Sequence, residues 1–145
     1  YRYGTLRLDD LQRTRWRGGM GWGGFLSYAA SRLATVLFTR ELSRRLAPEG
    51  ITVNCVHPGH VQTNIFPRAP GLMGLVMRWT SRLRISAEEG ARPVARLAYD
   101  ADVAGTTGEY FNRLLREDVP DTIARPELAS GLWEVSAALT GLREA

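Results

Sequence analysis

The chain has 145 residues, 44% of them hydrophobic and 23% charged, with a net charge of +4. This is the composition of an ordinary globular protein, long enough to bury roughly 70% of its unfolded surface, and it excludes a disordered or low-complexity chain. No apolar run approaches the roughly 20 residues that span a bilayer, while a lone Cys excludes an internal disulfide framework and fits a reducing, cytoplasmic setting.

All 19 basic residues are Arg. They are dispersed apart from Arg13, Arg15 and Arg17 beside Trp16, and no nucleic-acid motif accompanies them, so neither nucleic acid nor a membrane surface is the expected partner. The chain opens on Tyr1 with no initiator Met and no charged-then-apolar leader, which points to sequence missing before it.

Residues 1–17 are polar and basic, with a short alternating stretch Thr5-Leu-Arg-Leu-Asp9, and predict irregular chain with at most one helical turn. Five glycines in residues 18–24 predict a loop before a helix. Over 27–46, Ala30, Leu33, Ala34, Leu37, Phe38, Leu42 and Leu46 recur at helical spacing, with Ser27 as the cap and Pro48 and Gly50 as the stop. Residues 51–56 form a short β-branched run ending in Pro-Gly and predict a buried parallel strand. Helix, tight turn and buried strand make an αβ unit of a doubly wound fold.

Residues 72–79 predict a short helix that is apolar on almost every side and therefore covered. Its cover is the same domain or a hydrophobic substrate over which it forms a lid, with an interfacial membrane contact as a weaker third reading because only Arg68, Arg78, Arg82 and Arg84 flank it. Ser86-Ala-Glu-Glu89 is a capping box opening a helix through about Tyr99, with Ala91, Val94, Ala95 and Ala98 facing inward. After a turn from Gly105 to Gly108, residues 109–112 predict a strand, and a last helix over 127–140 buries Leu128, Leu132, Val135 and Leu139.

Tyr28 and Arg32 are four residues apart, so a helix projects them from one face. A cation beside a phenol favours phenolate, which makes a usable acid/base at an alcohol or carbonyl oxygen. Taken alone, the pair reads equally as a helix-start aromatic beside a solvated charge. Gly19-Met-Gly21-Trp-Gly-Gly24 matches G-x-G-x-x-G, but it follows a polar run and lacks the strand-before-helix context of a pyrophosphate loop. Cys55, His57 and His60 are close in sequence without a fourth ligand, so no metal site is expected.

The segments Tyr28-Ala-Ala-Ser-Arg32 through Leu42, Gly50-Ile-Thr-Val-Asn-Cys-Val-His-Pro-Gly59 and Val61-Gln-Thr63 together resemble the short-chain dehydrogenase/reductases. Glu88-Glu-Gly-Ala, Gly105-Thr-Thr-Gly-Glu-Tyr-Phe-Asn112, Leu132-Trp-Glu-Val-Ser136 and Leu139-Thr-Gly-Leu142 resemble the retinol-dehydrogenase-like branch. The resemblance runs from about Gly4 to Leu142 and implies an α/β chain, the C-terminal part of one doubly wound, Rossmann-type parallel-sheet domain. The half bearing the dinucleotide fingerprint is not in it.

It implies further that Tyr28 is the catalytic acid/base and that Arg32 stands where the family has a Lys binding the nicotinamide ribose. Pro58, Gly59, Val61 and Thr63 would hold the nicotinamide carboxamide of NAD or NADP. The implied activity is interconversion of a small hydrophobic alcohol and its carbonyl, with homo-oligomers allowed. The family Ser that bonds the substrate oxygen would lie before Tyr1, so the isolated chain is expected to be inactive, with exposed sheet edge and apolar faces. A second reading is a degenerate member kept as a binding or scaffold protein, because Arg is not a conservative replacement for Lys. A third is surface binding through the Arg-rich N-terminus.

Overall fold

A computed structural model describes residue 2 and residues 4–12, 22–62 and 84–142. The expected helix over 72–79 and the glycines before Trp22 lie outside these residues. The chain forms two compact units, one of Tyr1–Cys55, Thr106–Tyr110 and Asp118–Ala145, the other of Val56–Gly105 and Phe111–Glu117.

In the first unit a single helical turn, Leu8–Asp10, precedes the long helix α1, Trp22–Leu46. The expected start at Ser27 is wrong: Gly23 and Gly24 belong to the helix, so Ser27 is interior and does not cap it. Each glycine disfavours helix by about 1 kcal/mol relative to Ala, but extending a formed helix adds a hydrogen bond per residue and overrides that preference. The stop falls where expected. A turn at Ala47–Glu49 ends on Gly50 at φ +71, a conformation that favours glycine, and Ile51 N–H donates back to Leu46 O at 3.3 Å.

The core of this unit packs Leu33, Val36 and the fully buried Leu37 against Val119, Ala124, Ala129 and Leu132. The last two lie on the final helix α3, Pro126–Thr140. Pro126 occupies its first turn, and Gly141 at φ +72 closes it with Leu142 N–H donating to Ala137 O at 3.0 Å. Two residues expected inside are not: Phe38 is 42% exposed and Leu139 61%. Phe38 instead stacks on Trp133 with ring centroids 5.5 Å apart, and the Arg45 guanidinium lies 4.4 Å above the Trp133 ring.

α1 buries polar residues that hydrophobic spacing does not reveal. Glu41 is buried and accepts from Arg44 Nη2 and from Arg45 Nε, each at 2.7 Å. The Arg44 hydrogen bond, the largest influence, holds its carboxyl below the usual Glu range, with Arg45 acting in the same direction against burial. A carboxyl depressed in the folded state stabilises the fold above its unfolded pKa of about 4.3, and that contribution disappears as pH falls through the lower native value. The wild type is therefore expected to lose part of its urea stability below about pH 4.3, and Glu41→Gln is expected to flatten that loss. Parallel pH profiles for the two proteins would contradict this.

The strands β1, Cys55–His57, β2, Tyr110–Asn112, and β3, Leu115–Glu117, follow that order in one three-stranded sheet. Cys55 N–H donates to Glu109 O at 3.0 Å and Arg113 N–H to His57 O at 2.8 Å; partners advance together along both chains, so β1 and β2 are parallel as expected. β1 is shorter than the expected 51–56 and only half-buried. Asn54 explains the late start, because its side chain bonds Thr106 O and Glu109 N–H in place of a regular ladder. β3 is an addition, joined to β2 by a two-residue turn with Arg113 at φ +57, and a hairpin makes the pair antiparallel.

In the second unit helix α2, Ala87–Tyr99, opens on the expected capping box, with Glu89 N–H donating to Ser86 Oγ at 3.1 Å and Ser86 N–H to Glu89 Oε2 at 3.0 Å. Its buried face, however, is Gly90 and Pro93. Ala91, Val94, Ala95 and Ala98 are exposed, so the expected inner face is rotated by about one residue. The reason is close approach: a Cβ on Gly90 would run into the Val61 side chain, so the narrowest side of the helix turns inward. Arg96 ties α2 down by donating to Asp102 Oδ2 at 2.6 Å and to Leu114 O.

Candidate nicotinamide and proton-transfer site

Tyr28 and Arg32 lie on successive turns of α1, and the spacing brings them together as expected. The Arg32 guanidinium carbon is 4.9 Å from the centroid of the Tyr28 ring, a cation–π contact worth about 0.5–1 kcal/mol at an exposed site. Tyr28 is 54% exposed, so its phenol is open to a reactant. Its carbonyl accepts from Ser31 Oγ at 2.8 Å, which adds a side-chain bond to the turn between the two residues.

Pro58, Gly59 and Val61 belong to the second unit, just after β1. Thr63 lies outside the described residues. Gly59 sits at φ +96, where a side chain is strained, and a Cβ there would meet Ile85 Cδ1 at 3.2 Å. Its N–H donates to His57 Nδ1 at 3.1 Å. Val61 is fixed by a parallel bridge to Ile85, in which Gln62 N–H donates to Ile85 O at 2.9 Å and Ile85 N–H to His60 O at 3.0 Å. Gly90 closes on Val61 from α2. The turn is thus held by backbone bonds on both sides of Gly59.

His57 is the contributor to this turn that sequence reasoning missed. Its signal was present as a ring two residues before a glycine, a spacing that allows an acceptor to reach the glycine N–H. His57 and His60 rings are 6.1 Å apart, edge to face. Burial pushes the Cys55 thiol up, against hydrogen bonding to Thr39 and the charge of Arg40, so it stays protonated and is a poor metal ligand. Among the described residues no group of three His, Cys, Asp or Glu side chains could share a metal ion.

A groove of about 550 Å³ runs along α1 in the first unit, lined by Thr5, Leu6, Arg7, Ser27, Ala30, Ser31, Ala34 and Leu132 among others. Tyr28 and Arg32 are not part of its lining. Each unit carries one feature of the implied nicotinamide site: a glycine at positive φ in the turn after β1 of the second, and an exposed phenol on α1 of the first. Among the described residues there is no phosphate loop; Gly23 and Gly24 are helical.

The short chain dehydrogenase family model matches residues 16–70, the stretch holding Tyr28, Arg32 and the turn after β1. The chain is 33% identical over 145 residues to human retinol dehydrogenase 14, covering 98% of this chain and 42% of that protein. It is 38% identical over 146 residues to human retinol dehydrogenase 13, with 96% of this chain and 42% of that one covered. The fold matches the crystal structure of an uncharacterized protein from Mycobacterium paratuberculosis with a TM-score of 0.64 at 26% identity, over 95% of this chain and 46% of that chain. This chain therefore spans well under half the length of these curated relatives. Family model and relatives agree: the chain is similar to the short-chain dehydrogenase/reductases, and among them to the retinol dehydrogenases.

Proposed function

We propose that the protein is an NAD(P)-dependent oxidoreductase that interconverts a small hydrophobic alcohol and its carbonyl, with Tyr28 as the acid/base. The observation carrying this reading is the exposed Tyr28 with Arg32 one turn along α1, inside the stretch that the family model matches. Bound NAD or NADP supplies or takes up the hydride at the substrate carbon. In the oxidative direction Tyr28 oxygen takes the proton of the alcohol O–H as the carbon–hydrogen bond breaks; in the reductive direction it returns that proton to the carbonyl oxygen. Arg32 keeps a positive charge beside the ring. Pro58, Gly59 and Val61, with Thr63 beyond the described residues, hold the carboxamide and so orient the ring for transfer. Similarity to the retinol dehydrogenases supports a hydrophobic alcohol or aldehyde as substrate.

The test is steady-state turnover of NADH and NADPH by the full-length protein with a series of hydrophobic aldehydes, because the isolated chain is expected to be inactive. Consumption of either cofactor that depends on the aldehyde supports the reading. Cofactor binding without turnover favours the second reading, a degenerate member acting as a binding or scaffold protein. Arg32 motivates that alternative. Guanidinium is a planar fork that stays protonated, whereas ammonium is compact and offers three donors around one point. Arg32→Lys is therefore expected to raise turnover by several-fold, and equal rates for the two proteins would show that the guanidinium serves as well.

A further inference from the structure

We propose that His57 is a positioning residue for the nicotinamide turn: its neutral imidazole, with the proton on Nε2, holds the Gly59 amide through Nδ1. This deepens the oxidoreductase reading and rests on it for the role of the turn. Gly59 is the residue of the turn with the greatest backbone freedom, and it sits at φ +96. Three contacts fix it there. Its N–H donates to His57 Nδ1 at 3.1 Å. The main chain of His57 is itself anchored, since its carbonyl accepts Arg113 N–H at 2.8 Å across to the residue following β2. The aliphatic stem of Arg113 and Ile85 Cδ1 then flank the Cβ-free side of Gly59, at 3.6 and 3.2 Å from where a Cβ would stand.

A nitrogen that accepts a hydrogen bond carries no proton, so this geometry assigns the tautomer. It also separates His57 from a residue that merely fills space, because an acceptor at the δ position is required and an acceptor one bond further out does not serve. Asn places its oxygen near the Nδ1 position, whereas Gln and Ala do not.

The experiment compares full-length wild type, His57→Asn, His57→Gln and His57→Ala, each checked for native circular dichroism. Two quantities are read: amide hydrogen exchange at Gly59, and the dissociation constant for NADH and NADPH from cofactor fluorescence. Loss of one net hydrogen bond is expected to speed Gly59 exchange by about 2–10-fold in His57→Gln and His57→Ala, with wild-type exchange in His57→Asn. Cofactor binding is expected to weaken over the same range and to follow the same order. Gly59 exchange unchanged in His57→Ala, or His57→Asn behaving like His57→Ala, overturns the role of Nδ1. Faster exchange with unchanged cofactor affinity overturns the link to the cofactor. A wild type that binds neither cofactor refutes the oxidoreductase reading and that link together, and Gly59 exchange still decides whether His57 holds the turn.

Discussion

In the full-length protein Tyr28→Phe is expected to lower aldehyde-dependent NAD(P)H turnover by about 10²–10⁴-fold, the usual contribution of a positioned proton donor. The substitution removes one oxygen and keeps the ring against which Arg32 lies. Because the side chain is 54% exposed, no buried partner is left unsatisfied, and the thermal midpoint is expected to stay within a degree or two of wild type. Cofactor affinity is expected to be retained as well, since the turn after β1 is untouched. Turnover equal to wild type would mean that the proton reaches the substrate oxygen by another route. A large loss of stability would mean that the phenol is a packing residue.

The second large effect concerns the fold. Arg40, on the same helix three turns beyond Tyr28, donates from Nη1 to Asp121 Oδ1 at 2.8 Å and Ala124 O at 2.9 Å, and from Nη2 to Val119 O at 2.6 Å. Its side chain is only 26% exposed, while Asp121 is 82% exposed, so the ion pair contributes little and the carbonyl bonds carry the weight. Val119 and Ala124 belong to the buried core that α1 shares with α3. Arg40→Met is expected to keep much of the stem packing, strand two carbonyl oxygens, and destabilise the protein by about 2–4 kcal/mol. Arg40→Lys is expected to fall between, because an ammonium cannot present the fork that reaches three acceptors. The urea midpoint of each variant measures this, and a shift under about 0.5 kcal/mol for Arg40→Met would show that water replaces the guanidinium.

Arg40 and Glu41 illustrate what the sequence does not disclose. Hydrophobic spacing finds Leu33 and Leu37 because apolar burial is periodic, but it is silent on a buried carboxylate or a half-buried guanidinium, whose partners come from residues 44–45 and 119–124. Signals with a local cause were legible. Gly50 as a stop, the Ser86 and Glu89 capping box, and the parallel pairing of β1 each follow from a few neighbouring residues. Features decided by tertiary approach were not. The helix start at Trp22 overrides glycine propensity, α2 turns its glycine side inward against Val61, and β3 adds a short strand through a turn that carries Arg rather than glycine at positive φ. In the site, the Tyr28–Arg32 contact follows from helical spacing alone, and the family resemblance picked out Pro58, Gly59 and Val61. His57 was passed over because its chemistry was weighed as a metal ligand, when its structural part is to accept one backbone hydrogen bond.

The most direct test of the central claim, that this chain carries the nicotinamide end of a dehydrogenase site, is a titration with NADH and with NADPH followed by backbone amide resonances. In the full-length protein saturable shifts are expected at residues 57–62 and around Tyr28 and Arg32 with at least one of the two cofactors. Shifts confined to other parts of the molecule, or none with either cofactor, would contradict it.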